Sequence, residues 1–259
     1  STLKSAISIG QSLGVDVSKL QQSVECYCNS LTQLESLNNP NYAQFYSALS
    51  NAYSYLAKFI NLPNPFPTWI GLGLRENPTA EQVAQYYAEL SKWFNENENN
   101  IKNNISALSN AISELKSAIS IGQSLGMDVS SLCQSVECYC NSLTQLESLN
   151  NPNYAQFYSA LSNAYSYLAK FINLPDLPTQ PDNPTAEQVS EYYAELSSWF
   201  SENEKNIKNN ISVLSNAISE LKSAISLGQS LGEDVSSLQQ SLECYCKIEE
   251  CLEKLTSKD

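Results

Sequence analysis

One long segment of this chain occurs twice without a single change. Residues 23–63 recur as residues 135–175, and a third, partial copy, LKSAISLGQSLGEDVSSLQQSLECYC, ends at Cys246. The motif NPTAEQV also begins at both Asn77 and Asn183. A unit of this size cannot bury its apolar face alone, so the repeats predict an array in which each unit packs on its neighbours. Reuse of one contact surface favours an architectural role over catalysis.

The apolar pattern within each unit predicts one long helix followed by two shorter ones. The long helix is predicted from about Glu81, after an Asn-Pro-Thr start signal, to Leu125, where a glycine ends it. The second is predicted from Asp128 to Leu149 with a coiled-coil-like seam, and the third over residues 152–173, before a proline. We therefore predict an all-α fold of tandem three-helix repeats, packed as antiparallel helical bundles.

These repeats predict three segments along the chain. Residues 1–76 form the first repeat without the N-terminal half of its long helix, and residues 77–182 form a complete second repeat. Residues 183–259 form a third repeat that lacks its last helix. Equivalent positions are 112 residues apart between the first two repeats and 106 residues apart between the last two.

Charge and composition exclude several classes of function. There are 27 acidic and 14 basic residues, and the net charge of −13 repels a polyanion, so we expect no nucleic-acid partner. No run of eighteen apolar residues is present to span a membrane. The chain contains no histidine and no recognisable catalytic, phosphate-binding or metal-binding motif. We expect neither an enzyme nor a bound cofactor or metal.

All eight cysteines lie on the second helix of a repeat. The thiols of a helical Cys-Tyr-Cys motif point about 200° apart, which disfavours both a bond within the motif and metal chelation. Inert buried thiols are one alternative, and disulfides between successive second helices are the favoured one. In an antiparallel pair of helices, the residue numbers of any two positions that face each other add up to the same sum, so this sum shows which cysteines can meet. That register predicts the intrachain bonds Cys28–Cys138, Cys140–Cys244 and Cys133–Cys251, and leaves Cys26 and Cys246 to bond between subunits.

Disulfides imply an oxidising compartment, so the predicted location is extracellular or the cell surface, with a virion as the alternative. Asn104 and Asn210 each begin a glycosylation sequon, which makes glycans possible partners. An apolar junction that the second repeat lacks is predicted to be an interaction loop, through Phe66, Trp69, Ile70, Leu72 and Leu74.

Two hypotheses for the function follow. The first is a structural subunit of an extracellular, disulfide-stabilised filament or surface assembly, in which copies of the chain polymerise head to tail. The alternative is a surface-displayed helical binding module, such as an adhesin or a receptor-binding rod. A monomer whose two spare thiols stay free is also left open.

Overall fold

A computed structural model describes residues 1–63 and 77–256, and every regular element among them is an α helix. The prediction of an all-α chain is therefore confirmed. The helices are α1 (Thr2–Ser12), α2 (Ser18–Leu37), α3 (Asn41–Leu56), α4 (Ala80–Ser124), α5 (Ser130–Leu149), α6 (Asn153–Leu168), α7 (Ala186–Ser230) and α8 (Ser236–Thr256).

The two long helices begin at capping boxes and end at glycines. At the start of α7, the Thr185 hydroxyl accepts a bond from the Gln188 backbone N–H, and the Gln188 side chain accepts one from the Thr185 backbone N–H. Gly126 and Gly232 follow α4 and α7 with φ values of 71° and 75°, a conformation that glycine adopts without strain. The stop signals in the sequence therefore act where they were predicted.

The third helix of a repeat is shorter than predicted, because its C-terminal residues bind the long helix instead of continuing the helical ladder. α6 ends at Leu168, not at residue 173. The Asn210 amide of α7 accepts a hydrogen bond from the Ile172 backbone N–H (2.9 Å) and donates one to the Ile172 carbonyl (2.7 Å). The Asn209 amide donates to the Lys170 carbonyl at 3.2 Å. The chain after α6 is thus held against α7 in a non-helical form.

Packing divides the chain into two compact units. One consists of Ser1–Phe59 and Asn103–Gln145, and the other of Ile60–Lys102 and Leu146–Asp259. Both α4 and α5 contribute residues to each unit. The limits of these units do not coincide with the repeat boundaries at residues 76 and 182. The repeats are defined by similarity of sequence, whereas the units are defined by which residues pack together.

In the second unit, α6 lies antiparallel to the N-terminal half of α4. The Ser91 hydroxyl donates to the Ala155 carbonyl (2.9 Å), and the Ser162 hydroxyl donates to the Ala84 carbonyl (2.8 Å). Small side chains at these contacts allow the two backbones to approach closely.

The same α6 also packs on the C-terminal half of α7, where one core cluster forms. It contains Phe157, Ala160, Leu161, Ala164, Leu221 and Ala224. A second cluster joins α7 to α8 through Trp199, Ile207, Leu214, Ile218 and Leu252. These contacts make the second unit a helical bundle, in which α7 supplies more buried residues than any other helix.

In the first unit, α3 packs on the C-terminal half of α4. Phe45, Ala48 and Ala118 are buried together, and Leu132 of α5 packs against them. In contrast, α1 and α2 contain no buried residue. The core of this unit therefore lies around α3 and α4.

Among the residues that the structure describes, no helix has the length and apolar character needed to cross a bilayer.

Candidate assembly surfaces

Two glycines of the long helices receive a phenylalanine ring. A Cβ added to Gly228 would lie 2.6 Å from Val235 Cγ1 and 2.9 Å from Phe157 Cε2. At the equivalent Gly122, the distances are 2.7 Å to Val129 Cγ1 and 2.9 Å to Phe45 Cε2. We call each glycine and its partner valine a notch. In both filled notches, the lack of a side chain on glycine makes room for the ring of the third helix.

A third notch, formed by Gly10 and Val17, holds no ring. A Cβ on Gly10 would meet only Val17 Cγ1, at 2.6 Å, among the described side chains. Apolar side chains next to this notch are largely exposed, at 60% for Ile9, 73% for Leu13 and 60% for Val15. We call the surface around it the α1–α2 corner: the exposed side chains of Leu3, Ile9, Leu13, Val15 and Leu20, together with the half-buried Gly10 and the buried Val17.

The residues equivalent to this corner in the second repeat are covered. Ile121, Leu125, Met127 and Leu132 pack against the cluster that contains Phe45 and Ala48 of α3. Leu115 is 1% exposed, whereas its equivalent Leu3 is 40% exposed. The difference lies in the presence of a packed third helix and not in the sequence of the surface.

The N-terminal half of α4 binds α6 through stacked aromatic rings. The ring of Tyr87 lies 6.0 Å from that of Tyr158 and 5.9 Å from that of Tyr165, and the ring of Phe94 stacks on that of Tyr154 at 4.9 Å. Burial raises the pKa of Tyr87 and that of Tyr158 to about 12 each. Such desolvated rings are typical of a packed interface.

The corresponding half of α7 has almost the same sequence and packs through Trp199 and Phe200, but the side that carries Tyr193 and Ser197 is exposed. Tyr193, equivalent to Tyr87, is 61% exposed. Ser197 is exposed, whereas the equivalent Ser91 is buried and bonded to α6. We call this surface the α7 face, comprising Val189, Tyr193, Leu196, Ser197 and Phe200.

The structure differs from the predicted intrachain disulfides. All eight cysteines are among the described residues and carry free thiols, so Cys28–Cys138, Cys140–Cys244 and Cys133–Cys251 are not bonded. In α8, the apolar seam that packs on α7 contains Leu238, Leu242, Tyr245 and Leu252. Cys244 and Cys251 each precede a seam residue, so they are rotated about 100° away from it and are exposed.

The two residues assigned to a bond between subunits are also free. Cys26 is exposed, and Cys246 is half-buried against the cluster of Trp199 and Leu252. Their pairing between chains stays a prediction.

The two sequon asparagines have a structural role in this fold. Asn104 and Asn210 are both 0% exposed. The amide nitrogen of Asn210 is buried and donates to the Ile172 carbonyl, so a glycan on this nitrogen is incompatible with the packing. The sequence pattern alone did not reveal that these asparagines face the core of the long helices.

The predicted interaction loop, with Phe66, Trp69, Ile70, Leu72 and Leu74, lies outside the described residues. Within residues 1–63 and 77–256, no group of three or more acids and cysteines is arranged to hold a metal ion. Comparison with known protein families, with curated proteins and with solved structures found no match. A function is therefore inferred from the exposed surfaces of the chain.

Sequence reasoning missed both the notch and the α7 face as contact surfaces. The signal was present, because Leu3–Gly14 repeats Leu115–Gly126 residue for residue. Only the structure shows that a phenylalanine ring belongs against the glycine of that stretch.

Proposed function

We propose that this chain is a structural subunit, built from three-helix repeats, that joins copies of itself head to tail in an extracellular assembly. One observation carries the proposal: positions covered inside the helical bundles are exposed at the α1–α2 corner and at the α7 face. The clearest case is Tyr193, which is exposed, whereas the equivalent Tyr87 is covered by α6.

The energetics favour covering these surfaces. Burying one exposed Leu, Ile or Val side chain contributes about 1.5–3 kcal/mol, and the α1–α2 corner offers several of them. Contiguous exposed apolar patches are typical of interaction sites. The covered equivalents within the chain support the idea that these patches bind helices.

The two surfaces are different from one another, which bears on the kind of assembly. When two unlike surfaces bind each other, every assembly still has one free surface of each kind at its ends and can add further subunits. The result is an open filament, unless the rotation from one subunit to the next closes the assembly into a ring. The net charge of −13 makes copies repel one another. Salt screens that repulsion, so assembly is expected to increase between about 0.01 M and 0.15 M ionic strength.

The free thiols provide a means of locking the assembly. A bond between Cys26 of one chain and Cys246 of the next forms when both thiols lose their protons and two electrons to a disulfide oxidant such as oxidised glutathione. Cys26 is already exposed, whereas Cys246 must move out of its partial cover to react. This chemistry supports an oxidising, extracellular location for the proposed assembly.

Sedimentation velocity and negative-stain electron microscopy test the proposal. The purified chain is compared over a range of concentration and salt, with reductant and with oxidised glutathione. We expect species larger than the monomer in both redox states, and a ladder on non-reducing electrophoresis after oxidation only. A chain that stays monomeric under all these conditions would contradict the proposal.

A matched pair of variants locates the contact. Tyr193→Ala removes the exposed ring of the α7 face and is expected to shift assembly to higher concentration by about tenfold, which corresponds to about 1.4 kcal/mol. Glu191→Ala alters an exposed residue about 200° around the same helix and is the control. Equal effects of the two substitutions on assembly would show that the α7 face is not the contact between chains.

A further inference from the structure

The α7 face and an exposed side of α3 repeat the two halves of a contact that is closed inside the chain. We propose that the α7 face of one copy docks on α3 of a second copy of this chain, in the geometry in which the N-terminal half of α4 packs on α6. This inference rests on the proposed function and deepens it, because it names the surface that receives the α7 face.

The receiving side of α3 is exposed, although the same side of α6 is covered. α3 and α6 share the sequence NYAQFYSALSNAYSYL. Tyr46 and Tyr53 are each 57% exposed, whereas the equivalent Tyr158 and Tyr165 are half-buried against the ring of Tyr87. We call this surface the α3 face, comprising the half-buried Tyr42 and the exposed Ala43, Tyr46, Ser50 and Tyr53.

The α7 face retains the residues with which α4 contacts α6. Its five members match, in order and in residue type, Val83, Tyr87, Leu90, Ser91 and Phe94. Leu90 and Ser91 are buried in α4, whereas the equivalent Leu196 is half-buried and Ser197 is exposed. Both surfaces of the α4–α6 contact are thus present a second time in the chain. The α3 face belongs to the first compact unit and the α7 face to the second, so the proposed contact joins unlike surfaces.

Two hydrogen bonds of the α4–α6 contact indicate the register of the docked pair. In that contact, one serine of each helix donates to a backbone carbonyl of the other helix, at 2.9 Å and 2.8 Å. The equivalent serines, Ser50 and Ser197, are both exposed. In the docked pair, they donate to the carbonyls of Ser190 and Ala43, respectively, across the two chains. These bonds align α3 and α7 antiparallel, as α4 and α6 are aligned.

Charge favours α3 as the place where two acidic chains meet. The sequence of α3 contains no acidic and no basic residue. The first turns of α7 carry Glu187, Glu191 and Glu195, and its first basic residue is Lys205. Two α7 faces in contact would bring these carboxylates close together, which is unfavourable, whereas an uncharged helix presents no like charge at short distance.

Both faces can be reached without disrupting a core cluster. α8 packs on α7 through Leu252 and Trp199, and this packing leaves Tyr193 and Ser197 exposed. α2, which precedes α3, contains no buried residue, so it can move aside without loss of core packing. The docked pair therefore adds ring contacts and keeps the existing ones.

Two variants that each block one face test the inference. Tyr46→Glu places a carboxylate on the α3 face, and Tyr193→Glu places one on the α7 face. Both tyrosines are exposed in the free chain, so circular dichroism should find each variant as helical as the unsubstituted chain. At the equivalent Tyr158 and Tyr87, burial raises the pKa, which indicates that a negative charge is unfavourable in the closed contact. In sedimentation velocity with reductant, each variant alone should need at least about tenfold higher concentration to assemble.

Mixing the two variants provides the decisive measurement. The chain with Tyr46→Glu still offers its α7 face, and the chain with Tyr193→Glu still offers its α3 face. An equimolar mixture should therefore form dimers that do not grow further. Gln44→Glu and Ser198→Glu are the matched controls, because they add the same charge at positions whose equivalents stay exposed in α6 and α4. Both controls should assemble as the unsubstituted chain does.

The outcomes separate this inference from the proposed function. Assembly that is blocked by Tyr193→Glu and not by Tyr46→Glu overturns α3 as the receiving surface and leaves head-to-tail assembly standing. Folded variants that stay monomeric when mixed also overturn the inference. If the unsubstituted chain forms only closed dimers, and both variants abolish them, the α3–α7 contact is supported and the filament is contradicted.

Discussion

Asn210 provides the sharpest test of how the repeats are held together. Its amide makes two hydrogen bonds to the backbone of Ile172, at 2.9 Å and 2.7 Å, from a side chain that is 0% exposed. Asn210→Ala removes both bonds and leaves the Ile172 N–H and carbonyl without their protein partner. The expected effect is release of the non-helical segment after α6 from α7.

The loss of these two hydrogen bonds determines how much the free energy of unfolding should decrease. Each neutral hydrogen bond contributes about 1 kcal/mol to stability, and an unsatisfied buried group costs about 1–3 kcal/mol. Ile172 is 40% exposed, so water reaches its backbone and the lower end of that range applies. We expect a decrease in the free energy of unfolding of about 2 kcal/mol, and a decrease in Tm of about 4–8 °C for a chain of this size.

Circular dichroism at 222 nm during heating and during urea denaturation measures this change. Asn209→Ala is the control, because this half-buried neighbour donates to the Lys170 carbonyl (3.2 Å) and to Asn210 Oδ1 (3.4 Å), and its loss leaves both bonds to Ile172 in place. Its effect is expected to be about 0.5 kcal/mol. If the two alanine variants differ by less than about 0.5 kcal/mol, the asparagine does not clamp the segment as the geometry indicates.

Three further outcomes are expected. Gly228→Ala places a methyl group 2.6 Å from Val235 Cγ1 and 2.9 Å from a phenylalanine ring, and should lower the unfolding free energy by about 1–3 kcal/mol. Gly10→Ala meets only Val17 Cγ1, at 2.6 Å, among the described side chains, so the decrease that thermal denaturation measures should be smaller. Hydrogen bonds from the side chain and backbone of Ser236 lower the pKa of Asp234 below 3.8, so the stabilising effect of this cap is present above that pH and is lost as the pH falls through the lowered value. NMR titration should find that Ser236→Ala raises the pKa of Asp234, and an unchanged value would contradict the assignment. After secretion from a glycosylating host, mass spectrometry should find the Asn210 peptide unmodified, and a glycan there would show that this packing does not form before modification.

The sequence predicted the helices well because their signals are local. Apolar spacing, the Asn-Pro-Thr start and the glycine stop each act within one or two turns, so the long helix predicted to end near Leu125 ends at Ser124. It failed at the end of the third helix, where Asn210, far away in the chain, captures the backbone of Ile172. Helical periodicity contains no information about such a distant partner.

The candidate sites were less accessible from the sequence. Cysteine spacing predicted a bonding order, but the seam of α8 packs on α7 and leaves Cys244 and Cys251 exposed with free thiols. The sequons marked Asn104 and Asn210 as surface positions, although both are buried. A tripeptide pattern does not specify which side of a helix faces the core.

The amino-acid sequence by itself determined that this chain is helical and repeated, because periodicity and identity between copies are properties of the linear order. Only the tertiary structure decided which copies of a repeated surface are covered. Gly10, Gly122 and Gly228 occupy equivalent positions in their repeats, yet among the described side chains a phenylalanine ring lies against the last two and not against the first. The reason is that burial depends on which helix packs nearby in space, and identical local sequences cannot differ in that respect by themselves.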